Sequence, residues 1–128
     1  MVSDSYIFGA LMSEIQISHT LLITDAKGSR KLLLDGLKYT IGRDENNNIQ
    51  LYSRFVSRHH AVLLRVPGEG GKYLYKIIDG DLAGKPSVNG VIINHQIKIT
   101  SSYDLRNGDV MIFAPNVELT YLITQTGS

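Results

Sequence analysis

Three short stretches carry side chains able to hold an anion together with an extended peptide. They are Gly42-Arg43, Ser57-Arg58-His59-His60 and Ser87-Val88-Asn89-Gly90. Arginine presents a rigid, permanently charged fork of donors that meets a phosphate bidentately. A serine hydroxyl can donate to a phosphate oxygen. A carboxamide offers an acceptor and two donors, enough to pair with the carbonyl and amide of a bound backbone. Taken singly, each stretch has a plainer meaning: Arg43 as a solvated loop residue, Asn89-Gly90 as a hairpin turn, His60 as a core histidine bonded to backbone. Their order along the chain, each between β-type segments, favours one converging site.

Other chemistries find less support. Strand alternation puts His60 inward on the face of Val62 and Leu64 and His59 outward, so the pair cannot chelate one metal. A Ser/His hydrolase would need a Gly-x-Ser-x-Gly elbow and a third acid, and neither is evident. There is no cysteine, which excludes disulfides and thiolate sites and fits a cytoplasmic setting. No catalytic residue, metal ligand or cofactor is therefore assigned.

The elements that must position these residues read as strands. Val117, Leu119, Tyr121 and Ile123 alternate with Glu118, Thr120 and Thr124, the period-two pattern of a half-buried strand. Val62, Leu64 and Val66 alternate with Ala61, Leu63 and Arg65, and Ile97 and Ile99 with Gln96 and Lys98. Further strands are expected over 20–24, 31–34, 38–41, 48–51, 73–78, 91–93 and 109–113. Turn signals fall between them: Asp35-Gly36, Pro67-Gly68, Asp79-Gly80, Asn89-Gly90 and Asn107-Gly108. Many short strands at this spacing predict an all-β sandwich or barrel.

The 128 residues suit a single domain. Residues 1–17 read as a poorly patterned leader and 126–128 as a polar tail. The apolar run Tyr6–Met12 is flanked by Asp4 and Glu14, without the basic start of a signal peptide. Nothing approaches the roughly 18 apolar residues of a membrane helix. A net charge of +1 argues against nucleic acid, so any anion recognition must be local.

The ordered series resembles the forkhead-associated (FHA) domain, a phosphothreonine-peptide-binding module, over about residues 20 to 124. Ile41-Gly42-Arg43, the Asn-rich loop before Ile49-Gln50-Leu51, Val56-Ser57-Arg58-His59-His60-Ala61, Val91-Ile92-Ile93-Asn94 and Leu105-x-Asn107-Gly108-Asp109-Val110 carry the likeness. It implies a β-sandwich of about eleven mostly antiparallel strands over residues 18–125, with binding loops at one end. It also implies phosphate contacts from Arg43 and Ser57, added positive charge from Arg58 or Lys85, and a peptide-backbone contact from Asn89. Gly42, His60 and Gly90 would shape the site. The partner would be a threonine-phosphorylated protein, the substrate of a Ser/Thr kinase, met by a monomer or weak homodimer.

Three departures from the family pattern bear on specificity. Val88 stands where a hydroxyl residue usually helps hold the phosphate. The 79–86 loop is longer than usual. Phe55 occupies the position of an arginine used to select acidic side chains, so an apolar preference is expected beside it. Val88 favours an alternative in which the fold serves phospho-independent assembly, through a strand edge or the leader. A single-stranded nucleic-acid binder is the third reading, with tyrosines as stacking platforms. Alternation opposes it by placing Tyr39, Tyr73 and Tyr121 with apolar neighbours.

Overall fold

The computed structural model describes residues 16–126, of which eleven strands form the framework. In chain order they are β1 (Gln16–Asp25), β2 (Gly28–Leu34), β3 (Lys38–Gly42), β4 (Ile49–Gln50), β5 (Ala61–Pro67) and β6 (Tyr73–Asp79). There follow β7 (Ile92–Ile93), β8 (Ile97–Lys98), β9 (Ser102–Asp104), β10 (Val110–Ala114) and β11 (Val117–Thr126). A single turn of 3-10 helix, Glu69–Gly71, interrupts the β5–β6 connection. No α-helix forms among the described residues, and hence none long and apolar enough to cross a membrane.

The strands divide into two sheets, ordered β2-β1-β11-β10-β7-β8 and β4-β3-β5-β6-β9. Every ladder is antiparallel except β3·β4, so the expected mostly antiparallel sandwich is what the chain adopts. The sheets close on one apolar layer in which Tyr75, Tyr121 and Phe113 are the largest fully buried side chains. Tyr39 and Tyr73 pack against that layer as well. The Tyr75 hydroxyl donates to the Gly36 carbonyl at 2.7 Å, and burial pushes its pKa up to about 12.

Two expectations need correction. The core face of β5 is formed by Ala61 and Leu63, not by Val62 and Leu64. His60 is nevertheless fully buried. It precedes the ladder, with its N–H donating to the Ile41 carbonyl and its own carbonyl accepting from Gly80. Two successive residues thus turn inward, and ring hydrogen bonds rather than the pleat set the direction of His60. Secondly, β9 was not among the expected strands. Of the leader expected over 1–17, Gln16 and Ile17 already belong to β1, and the remainder lies outside the described residues.

Register explains why distant loops meet. Ile41, Ala61 and Asp79 stand in one row across β3, β5 and β6. The residues that follow Ile41, precede Ala61 and follow Asp79 therefore emerge together at one end of the sandwich. Gln16 pairs with Thr126 at the other end of the β1·β11 ribbon.

Candidate functional site

At that end, backbone and side-chain hydrogen bonds lock three loops into one constellation. Arg43 N–H donates to the Ser57 carbonyl at 3.0 Å and Asp44 N–H to the Arg58 carbonyl at 3.2 Å. Val88 N–H donates to Ser57 Oγ at 3.0 Å. Asn89 Nδ2 donates to the Phe55 carbonyl at 2.7 Å. Arg43, Ser57 and Asn89, far apart in sequence, are thereby neighbours on one surface.

What each leaves free decides what it can do. Arg43 Nε donates to the Val56 carbonyl at 3.0 Å, which aims the guanidinium and leaves four N–H donors on its terminal nitrogens. None of the three ion pairs among the described residues involves Arg43. Ser57 Oγ accepts from Val88, so its own proton stays available for an incoming oxygen. Asn89 keeps its Oδ1 and a second N–H beside the bond to Phe55. Arg43, Arg58 and Asn89 are exposed and Ser57 is half-buried.

His60 clamps the constellation from beneath. Ser57 N–H donates to its Nδ1 at 3.0 Å, so Nδ1 carries no proton, and Nε2–H donates to the Gly90 carbonyl at 2.7 Å. That assignment makes the ring the neutral Nε2–H tautomer. Burial holds its pKa below the ordinary value of 6.5, against smaller opposing effects of the Gly90 carbonyl and Asp79. His60 touches the amide of Ser57 rather than its hydroxyl, so it is placed as a brace and not as a base.

Two glycines fit for separate reasons. A Cβ on Gly42 would lie 2.1 Å from the Arg58 carbonyl oxygen, so only glycine lets β3 approach the 57–60 turn this closely. Gly90 has φ of 74°, the left-handed region that side chains resist. Val88-Asn89 is a bend within the long β6–β7 connection, so Asn89-Gly90 is not a hairpin turn.

Several bracing residues escaped the sequence reading. Asn47 Nδ2 donates to the carbonyls of Asp44 and Arg58, at 2.9 and 2.7 Å, tying the β3–β4 loop to the turn presenting Ser57. Ser87 donates to Asp79 and accepts from Gly90 N–H at 2.8 Å, so it folds its own loop and is not free for a ligand. The Asn-rich loop and the Asp79-Gly80 turn were visible as motifs; their bonding was not.

Phe55 is half-exposed, as a ligand contact requires, but Arg54 stacks on it with its guanidinium carbon 4.9 Å from the ring centroid. The expected apolar preference takes no account of that cation. Val88 is 86% exposed, its N–H spent on Ser57 and its side chain lacking any donor.

Fold and loop geometry define a β-sandwich with three loops converging at one end, and family comparison agrees on the fold. The FHA domain model matches residues 39–114, more than half of the chain, and this chain belongs to the FHA domain family. Over 81% of its length it is 41% identical to the crystal structure of Slr1951 from Synechocystis sp., covering 96% of that chain with a TM-score of 0.76. Mycobacterium tuberculosis EmbR, solved in complex with a low-affinity phosphopeptide, is 33% identical over 85% of this chain, with a TM-score of 0.61. The match covers 25% of the EmbR chain. An uncharacterized Synechocystis protein, sll1895, is 34% identical over 101 residues, and this chain spans 14% of its length.

Proposed function

We propose that this domain docks threonine-phosphorylated segments of partner proteins in the cytoplasm. The observation that carries this reading is the locked trio of Arg43, Ser57 and Asn89, each with donors left free on one surface. Phosphothreonine brings about −1.5 to −2 charges and three acceptor oxygens. The Arg43 guanidinium and the Ser57 hydroxyl meet those oxygens, and Arg58 and Lys85 add positive charge nearby. Asn89 pairs with the peptide backbone, and Gly42, His60 and Gly90 hold the loops in place. The mechanism is recognition without catalysis: a kinase creates the epitope and this surface reads it. The EmbR complex with a phosphopeptide supports the class of ligand.

The test is titration of the purified domain with oriented phosphothreonine, phosphoserine and unphosphorylated peptide libraries. Selective phosphothreonine binding is expected. Silence across all three, from a folded protein, would transfer the case to the phospho-independent assembly reading that Val88 favours.

Val88 provides a sharper test. Its exposed side chain stands beside Ser57, where a threonine would add one donor. A hydrogen bond to a charged group contributes about 1.5–3 kcal/mol, so Val88→Thr should tighten phosphopeptide binding at least tenfold. Calorimetric titration checks this. Unchanged affinity would mean that the phosphate does not reach residue 88.

A further inference from the structure

A cavity of about 260 Å³ opens against β3 and β5, next to the loops but outside the trio. Leu82, Ala83, Ala61 and Val62 line it together with the polar Thr40, Asn47, His59 and Asp81. Leu82 and Ala83 lie on a rigid turn. Asp81 Oδ1 accepts from the N–H groups of Ala83 and Lys85, at 2.9 and 2.8 Å. Asp81 N–H donates to the Lys85 carbonyl at 2.9 Å and Gly84 N–H to the Asp81 carbonyl at 3.1 Å. Leu82 is thereby held 65% exposed, an apolar side chain fixed outside the core.

The cavity is continuous with the phosphate-reading loop. Asn47, which lines it, is the residue that grips the Arg58 carbonyl, and His59 Nδ1 lies 3.4 Å from Asn47 Oδ1. Phe55 lines a different cleft with Pro115 and Asn116, at the β10–β11 turn of the other sheet. Of the eight large apolar residues most exposed among those described, Phe55, Leu82 and Val88 all belong to the loops of this end. Three exposed apolar residues thus belong to the loops around one polar site.

We infer that the Leu82 cavity receives an apolar side chain of the same phosphorylated segment, on the side of the phosphothreonine away from Phe55. The inference rests on the phosphothreonine reading above. Its lining gives the occupant: Ala61, Val62, Leu82 and Ala83 offer hydrocarbon. Asp81 also lines the cavity, its Oδ1 bonded to two backbone N–H groups. An acidic side chain would lose its hydration there and meet the Asp81 carboxylate, with no Lys or Arg in the lining.

The experiment compares wild type with Leu82→Ser, using a library of peptides with fixed phosphothreonine and degenerate flanks. Single peptides bearing leucine or alanine at the selected position follow. Leu82 is exposed, so the variant should melt like wild type. Wild type should select large apolar residues at one flanking position and bind the leucine peptide about tenfold more tightly than the alanine peptide. In Leu82→Ser that ratio should collapse toward one, while preference for phosphothreonine over threonine persists. A ratio unaffected by Leu82→Ser, or no apolar selection by wild type, overturns the inference and leaves phosphothreonine docking standing. Loss of phosphothreonine preference in wild type overturns both.

Discussion

Arg43→Ala should lower affinity for a phosphothreonine peptide at least a hundredfold while leaving the domain folded. The side chain is exposed, and it is held by the bond from Nε to the Val56 carbonyl. The backbone bond from Arg43 N–H to Ser57 survives truncation. A bidentate contact to a dianion makes two charge-assisted hydrogen bonds of about 1.5–3 kcal/mol each. Their loss corresponds to between about two and four powers of ten in affinity. Stability should change by roughly 0.5 kcal/mol, as for other surface substitutions. Arg43→Lys should recover only part of the binding, because an ammonium is a point charge without the planar fork. Calorimetric titration and a thermal melt on the same sample decide the matter. Affinity unchanged by Arg43→Ala would refute the site.

The second large effect falls on folding. His60→Ala removes a fully buried ring that packs against Phe113, with centroids 4.9 Å apart. It also strands Ser57 N–H and the Gly90 carbonyl, two groups that no longer find a partner. Truncating a large buried side chain to Ala costs about 2–5 kcal/mol, and each unsatisfied buried group adds about 1–3 kcal/mol. Against a total stability of about 5–15 kcal/mol, the variant should be severely destabilised. His59→Ala, on the exposed neighbour, should barely move the melting temperature. Equal effects would show that the ring of His60 is not the clamp.

The same ring gives a pH dependence of defined sign. His60 is held neutral in the fold, and burial lowers its pKa from 6.5. His19 is shifted the same way, by burial and then by Arg65. Below pH 6.5 the unfolded chain binds protons that the folded chain refuses. Stability is therefore full above that pH and falls as pH drops toward the folded-state values. The melting temperature of the unliganded domain should decline between pH 7 and pH 5. A flat profile would mean that neither histidine is kept neutral.

Legibility in the sequence followed the strength of local contrast. In β11 apolar and polar residues alternate, and the face carrying Val117, Leu119 and Tyr121 is the buried one. In β5 the run Ala61-Val62-Leu63-Leu64 is apolar throughout, so no contrast says which face is inner, and the reading chose wrongly. Ser102–Asp104 is short and polar; it becomes a strand because Tyr103 pairs with Ile77 of β6, a partner that local pattern cannot reveal. Arg43, Ser57 and Asn89 were legible because their chemistry is distinctive at strand ends. Asn47 and Arg54 were not. One braces through a carbonyl 11 residues away, and the other depends on which side of Phe55 its guanidinium falls.

The Gln16–Thr126 pairing has a consequence for how such a domain is carried. From Gln16 to Asp25, which receives the Tyr52 amide at the loop end, β1 runs for ten residues, or about 30 Å at the rise of a strand. Both ends of the described chain therefore lie at the pole opposite the loops that carry Arg43, Ser57 and Asn89. A ligand fused to either end through a linker would thus start away from Arg43, Ser57 and Asn89, and the linker's length would set the effective concentration at which it meets them.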